Sequence, residues 1–285
     1  MDNTLYEYSP IVERPRLAMP DGKRLAFYIG LNIEHFPIDA RGASVSALTA
    51  GLVPDPLNYG WRDYGVRVGI WRLAELFTEL GIRPTAIVNS DVCRHYPQIV
   101  RAGRVAGWDW VAHGQTNARL QTGMARDEEA AMLRDMVAVL DDALGTRPRG
   151  WLGPAMTETL NTPELLRELG FTYLLDWCCD DRPFPLTVPG MVSVPYSVDL
   201  NDLGIFGQRM VAGSAYEEMV LDQFEVLLSE GGGVMALPLH PFVTGQPFRF
   251  KYLARILRRV AATEGVWLTT ATDLADRYLA GLGEA

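Results

Sequence analysis

Two rhythms of hydrophobic positions alternate along this chain. Short runs that are apolar nearly throughout read as strands buried on both faces: RLAFYIGLNI (24–33), TAIVNS (85–90), WDWVA (108–112), RGWL (149–152), FTYLLD (171–176), MVSVPYSV (191–198), GGVMALPLH (232–240) and GVWLTTA (265–271). Between them apolar residues return every three or four positions. That spacing predicts helices over VRVGIWRLAELFTELG (66–81), near 96–106, over DEEAAMLRDMVAVLDDAL (127–144) and TPELLRELG (162–170), near 215–230 and 250–263, and at the end of the chain. About eight strands and six or seven helices follow one another, with one helix missing between 176 and 191. Strict alternation implies parallel strands covered by helices, and at this length an irregular (β/α) barrel fits better than an open doubly wound sheet.

No linker, internal repeat or low-complexity tract divides the chain, so one domain is expected over residues 1–285, with 1–23 as a proline-spotted N-terminal arm. The segment 36–64 is rich in Gly and Pro, and a loop of that length inside a domain is usually functional.

Composition narrows the partners. A formal net charge of −9 with no basic run argues against nucleic acid. The cysteines are Cys93, Cys178 and Cys179, an odd number with two adjacent, which is neither a disulfide framework nor a zinc pair. Reduced thiols, an N-terminus without a secretory pattern and the lack of a membrane-length apolar run lead to the expectation of a cytoplasmic protein.

The polar residues at the strand ends carry the candidate chemistry. In a parallel barrel the active site gathers at the carboxyl ends of the strands. Here those ends hold Glu34 and His35, then Asn89, Ser90 and Asp91, then His113, then Asp176 and Trp177 followed by Asp180 and Asp181, and finally His240. Three of the four histidines therefore fall at one face; His95, at a helix start, is read as structural. Glu34 is a candidate proton acceptor for water, and His240 a candidate donor to a leaving amine. Trp151 and Trp177 are candidate pocket walls, and Arg62 and Asp63 candidate substrate contacts from the long loop. Asp180 and Asp181 are either a solvated turn or further substrate contacts. No Gly-x-Ser-x-Gly elbow occurs and no cysteine has an evident histidine partner. A carboxylate and histidines activating water remain, with or without a metal: the chemistry of amide or ester hydrolysis.

The ordered set NIEHF, AHGQTN, RGWLGP, LLDWCCDDRPF and LPLHPFVTGQP resembles the polysaccharide deacetylase (NodB homology) superfamily, nearest its intracellular branch of allantoinase analogues and peptidoglycan-deacetylase-like proteins. The likeness runs from about residue 24 to 281. It implies a distorted (β/α) barrel of about seven parallel strands and hydrolysis of a carbon–nitrogen bond that is not a peptide bond. It also implies a homo-oligomer, often a tetramer in that branch. Carried over residue by residue, the family's base falls on Glu34, a metal ligand on His35, a second ligand on His113 and the general acid on His240. The second histidine of the family's His-x-x-x-His is Asn117 here, and Leu152 stands where an arginine is usual. Asparagine offers only a neutral amide oxygen, a poorer zinc ligand than imidazole. Two options stay open: a divalent metal such as zinc on His35, His113 and Asn117, or metal-free catalysis with His113 donating to the oxyanion. The expected substrate is a small or cyclic amide, ureide or N-acyl compound. The alternatives are N-acetylated sugars or oligosaccharides, and an inactive barrel that binds a ligand.

Overall fold

The computed structural model describes residues 3–283. After an arm, the chain passes through β1 (Leu25–Ile33), α1 (Pro56–Tyr64), α2 (Ile70–Leu80), β2 (Thr85–Val88), α3 (Ser90–His95), α4 (Pro97–Val105), β3 (Asp109–Ala112), α5 (Arg126–Leu144), β4 (Gly150–Trp151) and α6 (Thr162–Glu168). It continues through β5 (Tyr173–Leu174), β6 (Phe184–Pro185), β7 (Val192–Ser193), α7 (Gly213–Glu230), β8 (Gly233–Leu239), α8 (Pro241–Thr244), α9 (Pro247–Ala261), β9 (Val266–Leu268) and α10 (Ala271–Gly283).

One curled sheet runs in the order β6-β7-β5-β4-β3-β2-β1-β8, with β9 also paired to β1. Every pairing is parallel except β6 with β7. The distorted barrel expected from the sequence is therefore present, as a curl that β8 and β6 leave open. Across that opening Val234 donates its N–H to the Asp181 carbonyl at 2.9 Å, and the Tyr28 hydroxyl bonds the Pro195 carbonyl at 2.6 Å. The missing helix is real: β6 and loops occupy the stretch between β5 and β7.

Side chains alternate along a strand, so each buried strand feeds two cores. Leu25, Phe27, Ile29, Leu31 and Ile33 of β1 pack against the helices, with Met235, Leu237 and Leu239 of β8 and Trp151 of β4. Ala26 and Tyr28 instead face the inside of the curl, with Ile87, Val111, Leu152, Tyr173, Val194, Tyr196, Val234 and Ala236. Ala271, Leu274 and Ala275 of α10 join this inner cluster and cover the amino ends of the strands. The carboxyl ends stay open, and there the inner face turns polar.

Helical winding starts earlier than the sequence predicts, at Pro56, and includes one wider turn over Gly65–Gly69 closed by a bond from Ile70 N–H to the Gly65 carbonyl. Both glycines mark a close approach. A Cβ on Gly65 would stand 2.8 Å from the Phe242 nitrogen, and one on Gly69 would collide with the Pro241 carbonyl. The helix thus lies directly against the residues that follow His240.

Candidate active site

Three strands deliver three side chains to one cavity. Glu34 continues the inward face of β1, His113 follows β3 and His240 follows β8. One Glu34 oxygen, Oε1, lies 3.5 Å from His113 Nε2 and 3.5 Å from His240 Nε2. All three residues are buried, at 9%, 2% and 4% exposure. The sequence reading brought these three together, and the structure does the same.

Each is held by a partner that fixes its orientation. His113 Nδ1 lies 2.6 Å from the Leu152 carbonyl, which can only accept, so this nitrogen carries the proton. In the neutral ring Nε2 is then an acceptor, turned to the cavity. Asp202, fully buried, accepts from His240 Nδ1 at 2.7 Å, from the His240 backbone N–H at 2.8 Å and from the Thr244 hydroxyl at 2.9 Å. Asn117 donates its amide NH2 to Glu34 Oε1, and its own oxygen accepts from Asn89 Nδ2 at 3.1 Å. Asn89 also donates to the His113 carbonyl and accepts the His35 N–H at 2.8 Å, tying the ends of β1, β2 and β3 together.

These contacts set the charges. Burial alone would pull the His240 imidazole down, but the carboxylates of Glu34 and Asp202 push it up to about 10. Burial alone would raise Glu34, yet the His240 charge beside it holds it well below the usual carboxylate range. Near neutral pH the site therefore presents an ionised carboxylate beside a protonated imidazole. Two buried acceptors there have no protein partner, Glu34 Oε2 and His113 Nε2.

The cavity measures about 340 Å³. Asn32 and Tyr196 form its inner end, with Asn32 Nδ2 donating to the Tyr196 hydroxyl at 2.9 Å. Phe36, Ala43, Leu152, Ala155 and Met156 give it apolar walls, and Asn201, Gln208 and Arg209 a polar one. Ala155 and Met156 sit in left-handed conformations, φ 55° and 54°. Their loop is held from behind by Asp176, which accepts the Gly153 N–H at 2.8 Å. Beside Asp176 lies Glu158; burial and the Glu129 carboxylate push it up to about 7. Burial and Glu158 likewise raise Asp176 well above its ordinary range.

Several sequence candidates lie elsewhere. His35 follows Glu34 directly in an extended chain and so points the opposite way; its ring stacks on His95 at 4.3 Å, with Nδ1 4.0 Å from Asp91. Trp151 faces the helices with no exposure, while its neighbour Leu152 takes the cavity wall. Trp177 packs edge-on against Tyr6 of the arm at 5.3 Å. Asp180 pairs with Arg14 of the arm, and Asp181 uses its carbonyl on Val234 at the seam. Arg62 is 6% exposed, lies over the Phe36 ring at 4.7 Å and donates to the Ala43 carbonyl at 2.5 Å. It braces the long loop, whose Phe36 and Ala43 line the cavity, without lining that cavity itself. Asp63 lies 3.6 Å from Arg67.

Asp202 and the 201–209 wall were missed. Asp202 stands in DLNDLG, a stretch with neither strand alternation nor helical spacing, and nothing local marks it as the partner of a histidine 38 positions on.

The donor set does not fit a resident metal on His35, His113 and Asn117. His35 points away, and Asn117 gives its oxygen to Asn89 while turning a donor toward Glu34. Zinc sites draw on three or four protein ligands. Here His113 Nε2 and Glu34 remain, beside an imidazole already held between two carboxylates. Among the described residues, no three His, Cys, Asp or Glu side chains are grouped to hold a metal ion.

Comparison with known proteins agrees with this architecture. The sequence profile of the polysaccharide deacetylase family matches residues 61–174. A Schizosaccharomyces pombe protein, provisionally named a polysaccharide deacetylase, is 26% identical over 264 residues, covering 81% of each chain. The peptidoglycan deacetylase of Helicobacter pylori is 24% identical over 263 residues, 79% of this chain and 88% of that one. Among solved structures, Puue allantoinase superposes with a TM-score of 0.85 at 28% identity over 94% of both chains.

Proposed function

We propose that this chain, similar to polysaccharide deacetylases and to an allantoinase, is a hydrolase of carbon–nitrogen bonds other than peptide bonds that opens or deacylates a small or cyclic amide or ureide without a resident metal. The carrying observation is the pair of unpartnered acceptors, Glu34 Oε2 and His113 Nε2, beside a protonated His240. A water donating one proton to each acceptor directs its lone pair outward, toward a carbonyl carbon. As the new carbon–oxygen bond forms, Glu34 takes a proton from the water. As the carbon–nitrogen bond breaks, His240 Nε2 gives its proton to the leaving nitrogen, and the products are an acid and an amine. Asp202 keeps the imidazolium oriented throughout, and the Tyr196 hydroxyl, which lines the same cavity, is a neutral donor for the developing oxyanion in exchange for its 3.3 Å bond to Asn32. His113 thus orients water rather than donating to the oxyanion.

The small-substrate reading draws on the cavity, which is at the low end of the range for small-molecule sites, and on the likeness to an allantoinase. The two deacetylase relatives support a second reading, removal of an acetyl group from an amino sugar. Hydrolysis of allantoin-like rings and of N-acetylglucosamine oligomers, measured with metal content before and after chelation, separates these readings. Turnover of the ring that survives metal removal and disappears in Glu34→Gln is expected. Activity that returns only with added zinc, or persists in Glu34→Gln, overturns the mechanism.

A further inference from the structure

The polar wall of the cavity has a chemistry of its own. It belongs to the segment that starts at Asn201, passes through Asp202 and winds through a wide turn, Leu203–Gln208, closed by a bond from Arg209 N–H to the Gly204 carbonyl. Asn201 uses its oxygen on the Leu203 N–H at 3.0 Å, which leaves its NH2 free. Among the described residues, no protein group bonds the Gln208 side chain. Among the described residues Arg209 is held by Asp199 alone, 3.4 Å from its guanidinium to the carboxylate and 3.5 Å to the carbonyl, with side chains 49% and 78% exposed. A pair so exposed is weak and exchanges readily for another anion.

The charges on the cavity are unevenly placed. Glu34 is negative and its neighbour His240 positive, so these two largely offset each other. Among the described residues, Arg209 is the one lysine or arginine lining the cavity. With that pair close to neutral, Arg209 is the unbalanced charge, so an anionic ligand enters with its charge at the arginine and its neutral end at Glu34 and His240. Apolar Leu152, Ala155 and Met156 border the same cavity, suiting the uncharged body of such a molecule.

We propose that Arg209, with the free amides of Asn201 and Gln208, anchors an anionic group, and that the preferred substrates are small amides or ureides bearing a carboxylate remote from the scissile bond. For turnover this rests on the hydrolytic reading above; for binding it does not.

The matched probes are hydantoin-5-acetic acid and hydantoin-5-acetamide, the same skeleton ending in a carboxylate or in a neutral carboxamide of nearly the same shape. In Glu34→Gln protein, calorimetric titration is expected to show at least tenfold tighter binding of the acid. The preference should shrink at high salt, disappear with Arg209→Gln added and partly return with Arg209→Lys. In protein with Glu34 intact, kcat/KM should favour the acid mainly through KM. Equal affinity for the two probes, binding of neither, or a preference that survives Arg209→Gln overturns the anchor. Charge-selective binding without turnover of either probe upholds the anchor and removes the hydrolytic reading. Turnover without charge preference does the reverse.

Discussion

Asp202 bonds both the ring and the backbone of His240, 2.7 Å to Nδ1 and 2.8 Å to the peptide nitrogen. One carboxylate thereby fixes the position, rotation and charge of the proposed acid. The His240 value in the fold, about 10, exceeds its ordinary value of 6.5. Its stabilising contribution is therefore complete below about 6.5 and is lost as pH rises through 10.

Asp202→Asn removes one of the two charges that raise His240. The alkaline limb of the pH–kcat/KM profile should move down by roughly one to two units. At pH 8 the rate should fall by ~10²-fold or more, because an amide can also hold the ring in the wrong tautomer. An unmoved alkaline limb would assign that limb to another group.

Asn117→Asp places a second carboxylate against Glu34 in place of a donor. Like charges raise a carboxyl pKa, so the acid limb should shift upward and the protein should lose activity first at pH 5 to 6. The readout is the pH profile of kcat; loss of rate uniform across pH would mean a packing defect instead.

Glu158 sits at about 7 in the fold against an ordinary 4.5. The fold therefore favours its neutral form: the contribution is complete below about 4.5 and lost as pH rises through 7. Glu158→Gln keeps the shape without the charge. Relative to the unsubstituted protein, it should raise Tm by a few degrees more at pH 8.5 than at pH 5, as roughly 1–2 kcal/mol would in a domain of this size. An equal shift at both pH values would point away from burial of the charge.

Gly69→Ala tests the support beneath His240. The added methyl meets the Pro241 carbonyl, and overpacking of this kind costs about 1–3 kcal/mol. A lower Tm with a reduced kcat is expected; an unchanged kcat in folded protein would show that His240 is placed independently of α2.

Much of this was legible from residue order. The unbroken apolar run of β1 and the polar residues ending β1, β3 and β8 identify both the curl and its working face. What failed had two causes. Side-chain alternation carries past a strand's end, which separates His35 from Glu34 and puts Leu152 rather than Trp151 on the wall; grouping residues by strand end alone ignores it. Contacts between distant irregular segments carry no periodic signal, which hid Asp202. The same blindness hid the arm that holds Trp177 and Asp180 through Tyr6 and Arg14.

Glu34 and His240, the proposed base and acid, stand at the tops of β1 and β8, whose ladder runs in register from Leu25 opposite Gly233 to Leu31 opposite Leu239. Seven residue pairs of backbone thus hold the two proposed reacting groups, while the cavity walls hang from connections at 36–55, 153–158 and 201–209. Two of the three walls are separate from the reacting groups, and the third is not, because 201–209 also carries Asp202, which holds His240. Exchange of the 36–55 or 153–158 wall with that of a relative should alter which molecules are accepted while the proposed chemical step keeps its geometry; exchange of 201–209 should do so only where an aspartate is kept at 202.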